Sequence, residues 1–389
     1  MAFIFKTPHD WAGAFELETE FNTDIFESYN GIETRRAQRF WPRRKFRFRA
    51  LEANSDMRDF MAYVAGGQDE IVYVPNPVFR TELSAPAAIG DSEITVTQVR
   101  ANMLPGGAVI MRSGEQTIRL DIVSVSGNTI TVDNTLAENW PIGAKVYESV
   151  SCYLTESLSV SRLTSTVAQG SVEFNEFPGR NPQAPPTSPP VGHNGLPLFD
   201  RQPDWADSPS IQFVAQRQEV DYGKGAIDFN DPRRFAHQIT QFGHTGKTET
   251  DAEAFMNFHH SQRGRAGEFY LPSWSHDMEL ADTFASGSFL IEMKGQRIAL
   301  HLNDEMHRNI WIRLKNGTNI PMRVNAAVLL GENSVLSLDS TLGFAIDPDE
   351  VLMISWLYLA RFSADRLVYQ FLTSGVMDTT ASFTSLRES

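Results

Sequence analysis

Cysteine is nearly absent: Cys152 is alone among 389 residues. That excludes an internal disulfide framework and a cysteine-based zinc knuckle. Positive charge is short as well, with 34 Lys and Arg against 48 Asp and Glu and a formal net charge of -14. A pI near 5.1 argues against nucleic acid as the main bound partner, because phosphate binding needs a basic surface. It is compatible with DNA passing an acidic wall without sticking. Long apolar runs are missing too. The best, Val351 to Ala360, falls well short of the roughly 18 residues that cross a bilayer and reads as a buried strand, so no membrane span is expected. The opening Met1-Ala2-Phe3-Ile4-Phe5-Lys6-Thr7-Pro8 breaks too early for a secretory h-region, which makes synthesis in a cytoplasm the expectation.

Patterns that carry chemistry are equally sparse. Gly243-His244-Thr245-Gly246-Lys247-Thr248 tempts a phosphate-loop reading, but Gln241 stands where the first glycine of that loop belongs. The short loop cannot wrap its N–H groups around a phosphate. His259 and His260 are adjacent, so on a helix their side chains diverge by about 100° and cannot share one metal. His237 and His244 have no clear carboxylate partner, and Cys152 beside Tyr153 reads as a small core residue. Asp347-Pro348-Asp349-Glu350 lacks the glycine and ligand spacing of a calcium loop and reads as a solvated turn. No Gly-x-Ser-x-Gly elbow or acid–base carboxylate pair stands out. No catalytic, metal or cofactor residue is therefore assigned, and the chain is expected not to be an enzyme.

What is present is a folded composition, 41% hydrophobic and 21% charged, with length for two or three domains, and a sequence that matches itself. Asp10-Trp11-Ala12 returns as Asp204-Trp205-Ala206, Phe60-Met61 as Phe255-Met256, and Glu70 to Pro75 as Gly267 to Pro272 in pattern. Ser113-Gly114 pairs with Asn316-Gly317, Arg119 with Arg323, Asp133 to Leu136 with Asp339 to Leu342, Tyr153-Leu154 with Tyr358-Leu359, and Arg162-Leu163 with Arg366-Leu367. The order is kept while the spacing drifts slowly, which predicts a tandem duplication.

Between the halves, Phe177 to Pro190 is dense in proline and predicts an extended polyproline-II strap, with an SH3-type ligand as the other reading. Each half shows three parts. A strand-rich opening such as Lys45 to Leu51 alternates with period two and leads to a short helix. In the first half Met57, Phe60, Met61 and Val64 share a helical face that ends at Gly66-Gly67; in the second, Thr250 to Glu253 predicts a capping box. An inserted all-β module follows, and long strands then return to the host domain. The expected division is 1–83 with 147–177 as the first domain, 84–146 as its inserted module, and 178–203 as the linker. The second domain is 204–281 with 353–389, and its module is 282–352.

Two basic clusters stand out in this acidic chain. One is Arg35, Arg36, Arg39, Arg43, Arg44 and Lys45 around Phe40 and Trp41; the other is Arg263-Gly264-Arg265. Arginine with aromatics suits strand tracking on nucleic acid, and it also marks protein interfaces. At this net charge, the interface reading is preferred for Arg35, Arg36, Trp41, Arg43, Arg44, Arg263 and Arg265, each facing an acidic patch of a neighbouring copy.

Several of these residues carry a resemblance. Gly31-Ile32-Glu33-Thr34-Arg35, Trp41-Pro42-Arg43-Arg44, Phe60-Met61-Ala62-Tyr63 and Tyr73-Val74-Pro75 in the first half, with Phe255 to Phe258, Arg263-Gly264-Arg265-Ala266-Gly267 and Phe269 to Pro272 in the second, resemble the distal tail and baseplate protein family of long-tailed phages and gene-transfer agents. The best segment is Phe258 to Pro272. The chain departs from that pattern in being duplicated, in carrying inserted modules, and in having Gly66-Gly67-Gln68 where Arg-Gly-Arg would stand.

The resemblance implies a mainly β fold: two tandem tail-tube-like β-sandwich or barrel domains, each with one short helix. It implies a structural virion protein of a phage tail tip, assembled in the host cytoplasm. This protein would form a ring, trimer or hexamer, around the DNA channel and join the tail tube protein to hub and fibre proteins. The alternative is a receptor- or carbohydrate-binding protein using its inserted modules, with Trp140 and Trp311 as platforms, although core packing is the preferred reading of both tryptophans.

Overall fold

The computed structural model describes residues 3–6, 9, 11–66, 71–155, 159–206, 208–215, 217–230, 236–302 and 307–388. Asp10, Gly67, Gln68 and Glu70, used above in the repeat and the helix stop, lie outside them. Strands take 51% of the chain, so the fold is mainly β, as expected. Most strands join one large, predominantly antiparallel sheet, but no barrel closes. The barrel expectation is corrected for a simple reason: among the described residues Ser159–Arg162 and Ser210–Val214 each pair on one side only, which leaves two open edges.

The strand pairings of residues 15–176 recur in residues 210–385. Arg43–Ala53 pairs with Phe15–Glu20 on one side and Val167–Glu176 on the other. His237–Gly246 does the same with Ser210–Val214 and Val376–Ser385. Lys145–Leu154 meets Val72–Glu82, Ala108–Ser113 and Val167–Glu176. Val351–Phe362 likewise meets Phe269–Pro272, Asn309–Leu314 and Val376–Ser385.

Register sharpens the correspondence. Leu17 opposes Phe46 as Ile211 opposes Thr240, and Leu154 opposes Phe174 as Phe362 opposes Phe383. By this register Tyr153 corresponds to Arg361 and Arg162 to Phe371. The dipeptide matches of Tyr153 with Tyr358 and Arg162 with Arg366 are therefore displaced by a few residues from the backbone correspondence.

Aromatic rings explain why each half folds. Phe5 lies 5.5 Å from Phe60 and 5.1 Å from Phe174; Phe199 lies 5.7 Å from Phe255 and 5.3 Å from Phe383. Each also starts a parallel contact, Phe5 N–H donating to Tyr73 O and Phe199 N–H to Tyr270 O. Phe199 falls inside the segment read as linker, yet it is buried at the centre of the second half, so that half begins earlier than the proline pattern indicated. The proline-rich strap is bonded on both sides: Gln183 Nε2 donates to Pro42 O, Ala184 N to Asn102, and Thr187 N to Asn257.

Helices Asn54–Gly66 and Glu249–Gln262 cover corresponding strands, burying Phe60 and Tyr63 in one and Phe255 and Phe258 in the other. The second helix is capped by Thr248, whose side chain accepts from Asp251 N. That is two residues before the expected Thr250, because the strand ends at Gly246 and the chain turns at once. A third, five-residue helix, Arg297–His301, was not anticipated.

The host halves share one apolar core that includes Phe15, Phe46, Phe174, Phe269, Phe371 and Phe383. Each inserted segment has its own, around Ile94, Leu120 and Trp140 in one and Met293, Ile312 and Leu336 in the other.

Replacing Phe199 by Ala should cost about 3–5 kcal/mol by chemical denaturation, while Val191→Ala, at an exposed site of the same segment, should stay within about 0.5 kcal/mol. Equal small losses would contradict the placement of Phe199.

Candidate functional site

One strand is shared by the sheets of the two halves. Phe15–Glu20 pairs antiparallel with Arg43–Ala53 of its own half and with Arg366–Thr373 of the other. The sequence Phe-Glu-Leu-Glu-Thr-Glu specifies this position by period two. Phe15, Leu17 and Thr19 point into the shared core and are buried. Glu16, Glu18 and Glu20 point the other way and stand opposite Arg47, Lys45 and Arg43. Glu16 reaches Arg47 at 3.1 Å, and Glu18 reaches Lys45 at 3.5 Å and Arg366 at 2.6 Å. Opposite charges at opposing positions favour this register, since a one-residue slip would bury the glutamates.

Beyond that strand a hairpin, Thr23–Glu27 with Glu33–Ala37, reaches over the second half. Arg361 grips Glu33 through Nε and Nη2 at 2.7 and 2.8 Å, with both side chains nearly buried. Burial works against the Glu33 charge, but Arg361, backed by Arg35 and His237, holds its carboxyl below the usual range. Arg35 bonds Glu268 at 2.5 Å, and Glu27 lies 3.6 Å from His237. Asp365 accepts from Thr23 N at 2.8 Å, Thr23 Oγ1 at 2.7 Å and Arg265 N at 3.0 Å.

The Arg-Gly-Arg segment owes its glycine to this junction. Gly264 has φ of +67°, and a Cβ there would stand 2.6 Å from Asp365 Oδ1 and 3.1 Å from Phe21. Both the left-handed backbone and the close approach require glycine.

The expected interface residues separate into groups. Arg35, Arg263 and Arg265 meet partners across the junction of one chain: Glu268 for Arg35, Phe40 beneath the Arg263 guanidinium at 4.4 Å, and Asp365 for Arg265. Trp41 packs edge-on against Phe40. Arg44 is buried inside the first half, bonding Glu148 at 2.7 Å and Glu176 at 2.9 Å. Burial opposes its charge, yet attraction from Glu148 and Glu176 prevails and raises its pKa. The assignment of Arg44 to a contact with another copy is corrected accordingly. Arg36 and Arg43 are exposed.

Sequence reading missed Arg361 and Asp365, which hold the junction, and gave no role to Glu33, named only as part of the resemblance. No local pattern marks a partner more than 300 positions away (Arg361).

A cleft of about 400 Å³ runs beneath the proline strap, with Arg44, Asn76, Glu148 and His260 on its walls. Its deepest charges are already satisfied by each other, Asn76 donating to Glu148 at 2.9 Å. Among the described residues, no group of three or more His, Cys, Asp or Glu is arranged to hold a metal ion. His259 is fully buried, and His260 is half-buried on the wall of this cleft. Their rings stand 5.6 and 5.9 Å from Phe21 at the junction, and His259 Nδ1 meets Tyr369 Oη at 2.9 Å. Trp140 and Trp311 are buried in the module cores or against Trp274 and offer no exposed platform.

Burial pushes the His260 pKa down to about 4, with Arg44 adding to the effect, and burial likewise takes His259 well below its ordinary value. The unfolded chain then binds protons that the folded chain refuses, from about pH 6.5 downward. Stability should fall with acidification in that window, because each histidine gains a proton in the unfolded chain that it does not hold when folded. Glu388, pushed up to about 7 by burial, opposes part of this. Denaturant midpoints measured at pH 7 and pH 5 should decrease, and His260→Gln should flatten the dependence; a rising midpoint would refute it.

Comparison with protein-family models gives no match, and neither does comparison with curated proteins.

Proposed function

We propose that this chain is a structural component of a phage tail tip or baseplate, of the distal tail type. In this reading it is two concatenated copies of one β unit that build a ring around the DNA channel and join the tail tube to hub or fibre proteins. The observation that carries the proposal is the junction: a strand and a hairpin from one unit complete the sheet and clasp the flank of the next. A unit that hands its edge to a neighbour suits assembly into a ring, because contacts of different surfaces close when the rotation permits.

Three further features support the same reading. The pairing pattern recurs in both halves with matching register. The Arg-Gly-Arg segment, the best part of the family resemblance, lies where the two units meet. The outer face of the junction strand has its glutamates paired with basic residues, which leaves little unpaired positive charge to hold a passing polyanion. The inserted modules, each with its own core, are the parts available for other tail proteins. The glycan-binding alternative loses its two tryptophan platforms to core packing.

Purified protein should elute above its monomer mass, and negative-stain images should show hollow rings. Solid monomeric particles at every soluble concentration would overturn the proposal.

A further inference from the structure

The junction inside one chain has an unfilled counterpart. In the first half, the strand Phe15–Glu20 and the hairpin Thr23–Ala37 both contact the second half. Their counterparts in the second half are Ser210–Val214 and the hairpin formed by Gln218–Val220 with Asp228–Asn230. The correspondence is close. Glu16 and Ser210 stand 194 positions apart and pair with Arg47 and Gln241, also 194 apart. The hairpins keep the same spacing and register: Asp24 opposes Arg36 as Gln218 opposes Asn230, and Ile25 opposes Arg35 as Glu219 opposes Phe229.

Yet this second set is solvent-exposed throughout its strands. Phe213 is 69% exposed, Tyr222 79% and Phe229 53%. An exposed edge strand carrying Ile211, Phe213 and Val214, beside a hairpin that exposes Val220, Tyr222, Ile227 and Phe229, is a template for strand addition.

The first half carries the matching receptor edge. Among the described residues Ser159–Arg162 pairs only with Val167–Glu176, as Arg366–Thr373 would pair only with Val376–Ser385 if Phe15–Glu20 were removed. By register, Val160 stands where Tyr369 stands, Tyr153 where Arg361 stands, and Ile71 where Glu268 stands.

We propose that a second copy of this chain docks head to tail at these two surfaces. The strand Ser210–Val214 adds antiparallel to Ser159–Arg162 of the neighbour, with Ile211 opposite the neighbour's Val160. The hairpin of residues 218–230 clasps the neighbour's first half as residues 23–37 clasp the second half within one chain.

Side-chain chemistry at the equivalent positions favours this partner. The Glu33–Arg361 ion pair of the internal junction becomes Ile227 against Tyr153, both exposed in the single chain. Arg35–Glu268 becomes Phe229 against Ile71. Both members change from charged to apolar or aromatic in each case, so neither contact leaves a buried charge without a partner. Glu27–His237 becomes Asp221 against Arg43, an opposite-charge pair that gives the exposed Arg43 a role between copies. An internal junction of ion pairs alternating with an external one of apolar pairs also tells the two apart, which limits mispairing during assembly.

This inference rests on the ring reading above and specifies its contact. Light scattering on the full chain tests it. Ile227→Glu with Phe229→Glu should weaken self-association by about thirtyfold or more, as for interface hot spots, with the unfolding midpoint unchanged. Ile227→Glu alone should weaken it less, and Ile227→Glu with Tyr153→Arg should restore it by transplanting the internal ion pair. Independently, chains bearing Ile211→Cys mixed with chains bearing Val160→Cys should cross-link on oxidation, the native Cys152 being buried. Assembly indifferent to these substitutions, or absence of the cross-link, would overturn the docking mode while leaving a ring intact. A wild-type chain that never self-associates would remove both.

Discussion

Backbone pairing of Phe15–Glu20 on both of its edges holds this molecule together. One edge belongs to the first half and the other to the second, so the strand is the shared member of a continuous sheet. Its apolar face supplies Phe15 and Leu17 to a core that also takes Phe46 from one half and Tyr369 and Phe371 from the other. The halves are therefore not beads on a linker. Removing the strand would open one edge in each half and break a common core.

Electrostatics set how that strand sits rather than whether it binds. Exposed pairs such as Glu16–Arg47 contribute little energy individually, but three glutamates opposite three basic residues make any slip unfavourable. The buried contacts behave differently. Glu33 with Arg361 and Arg44 with Glu176 are desolvated on both sides, so their value lies in geometry and in the penalty for separating them. Where the second half lacks such a pair, polar groups substitute: Gln238 N donates to Ser385 Oγ at 2.8 Å, as Arg44 N donates to Glu176 at 3.2 Å.

Much of this architecture was legible in the sequence. Period-two alternation in Lys45 to Leu51 and the apolar spacing of Phe60 and Phe255 pointed to the strands and helices of a mainly β fold. Arg35, Arg263 and Arg265 stood out as contact residues, but the sequence pointed them at another copy, whereas their partners Glu268, Phe40 and Asp365 lie in the same chain. The remainder escaped for physical reasons. Arg44 looked like a surface cation because burial of its partners Glu148 and Glu176 depends on strands far away in the chain. Phe199 looked like linker because the lone parallel bridge of its neighbour Leu198 to Tyr270 leaves no periodicity in so short a stretch. Trp140 and Trp311 are buried, in line with the core packing that was the preferred reading of both.

The distance along the chain between the paired edges has a kinetic side. Phe15 opposes Phe371, so this early strand cannot gain its second partner until nearly the whole polypeptide has left the ribosome. Pairings that span so much sequence form slowly. During that interval the nascent first half presents a half-paired acidic strand, whose glutamates discourage premature contact with other chains. The last strands to be synthesised then act as the latch that commits the polypeptide to its final shape.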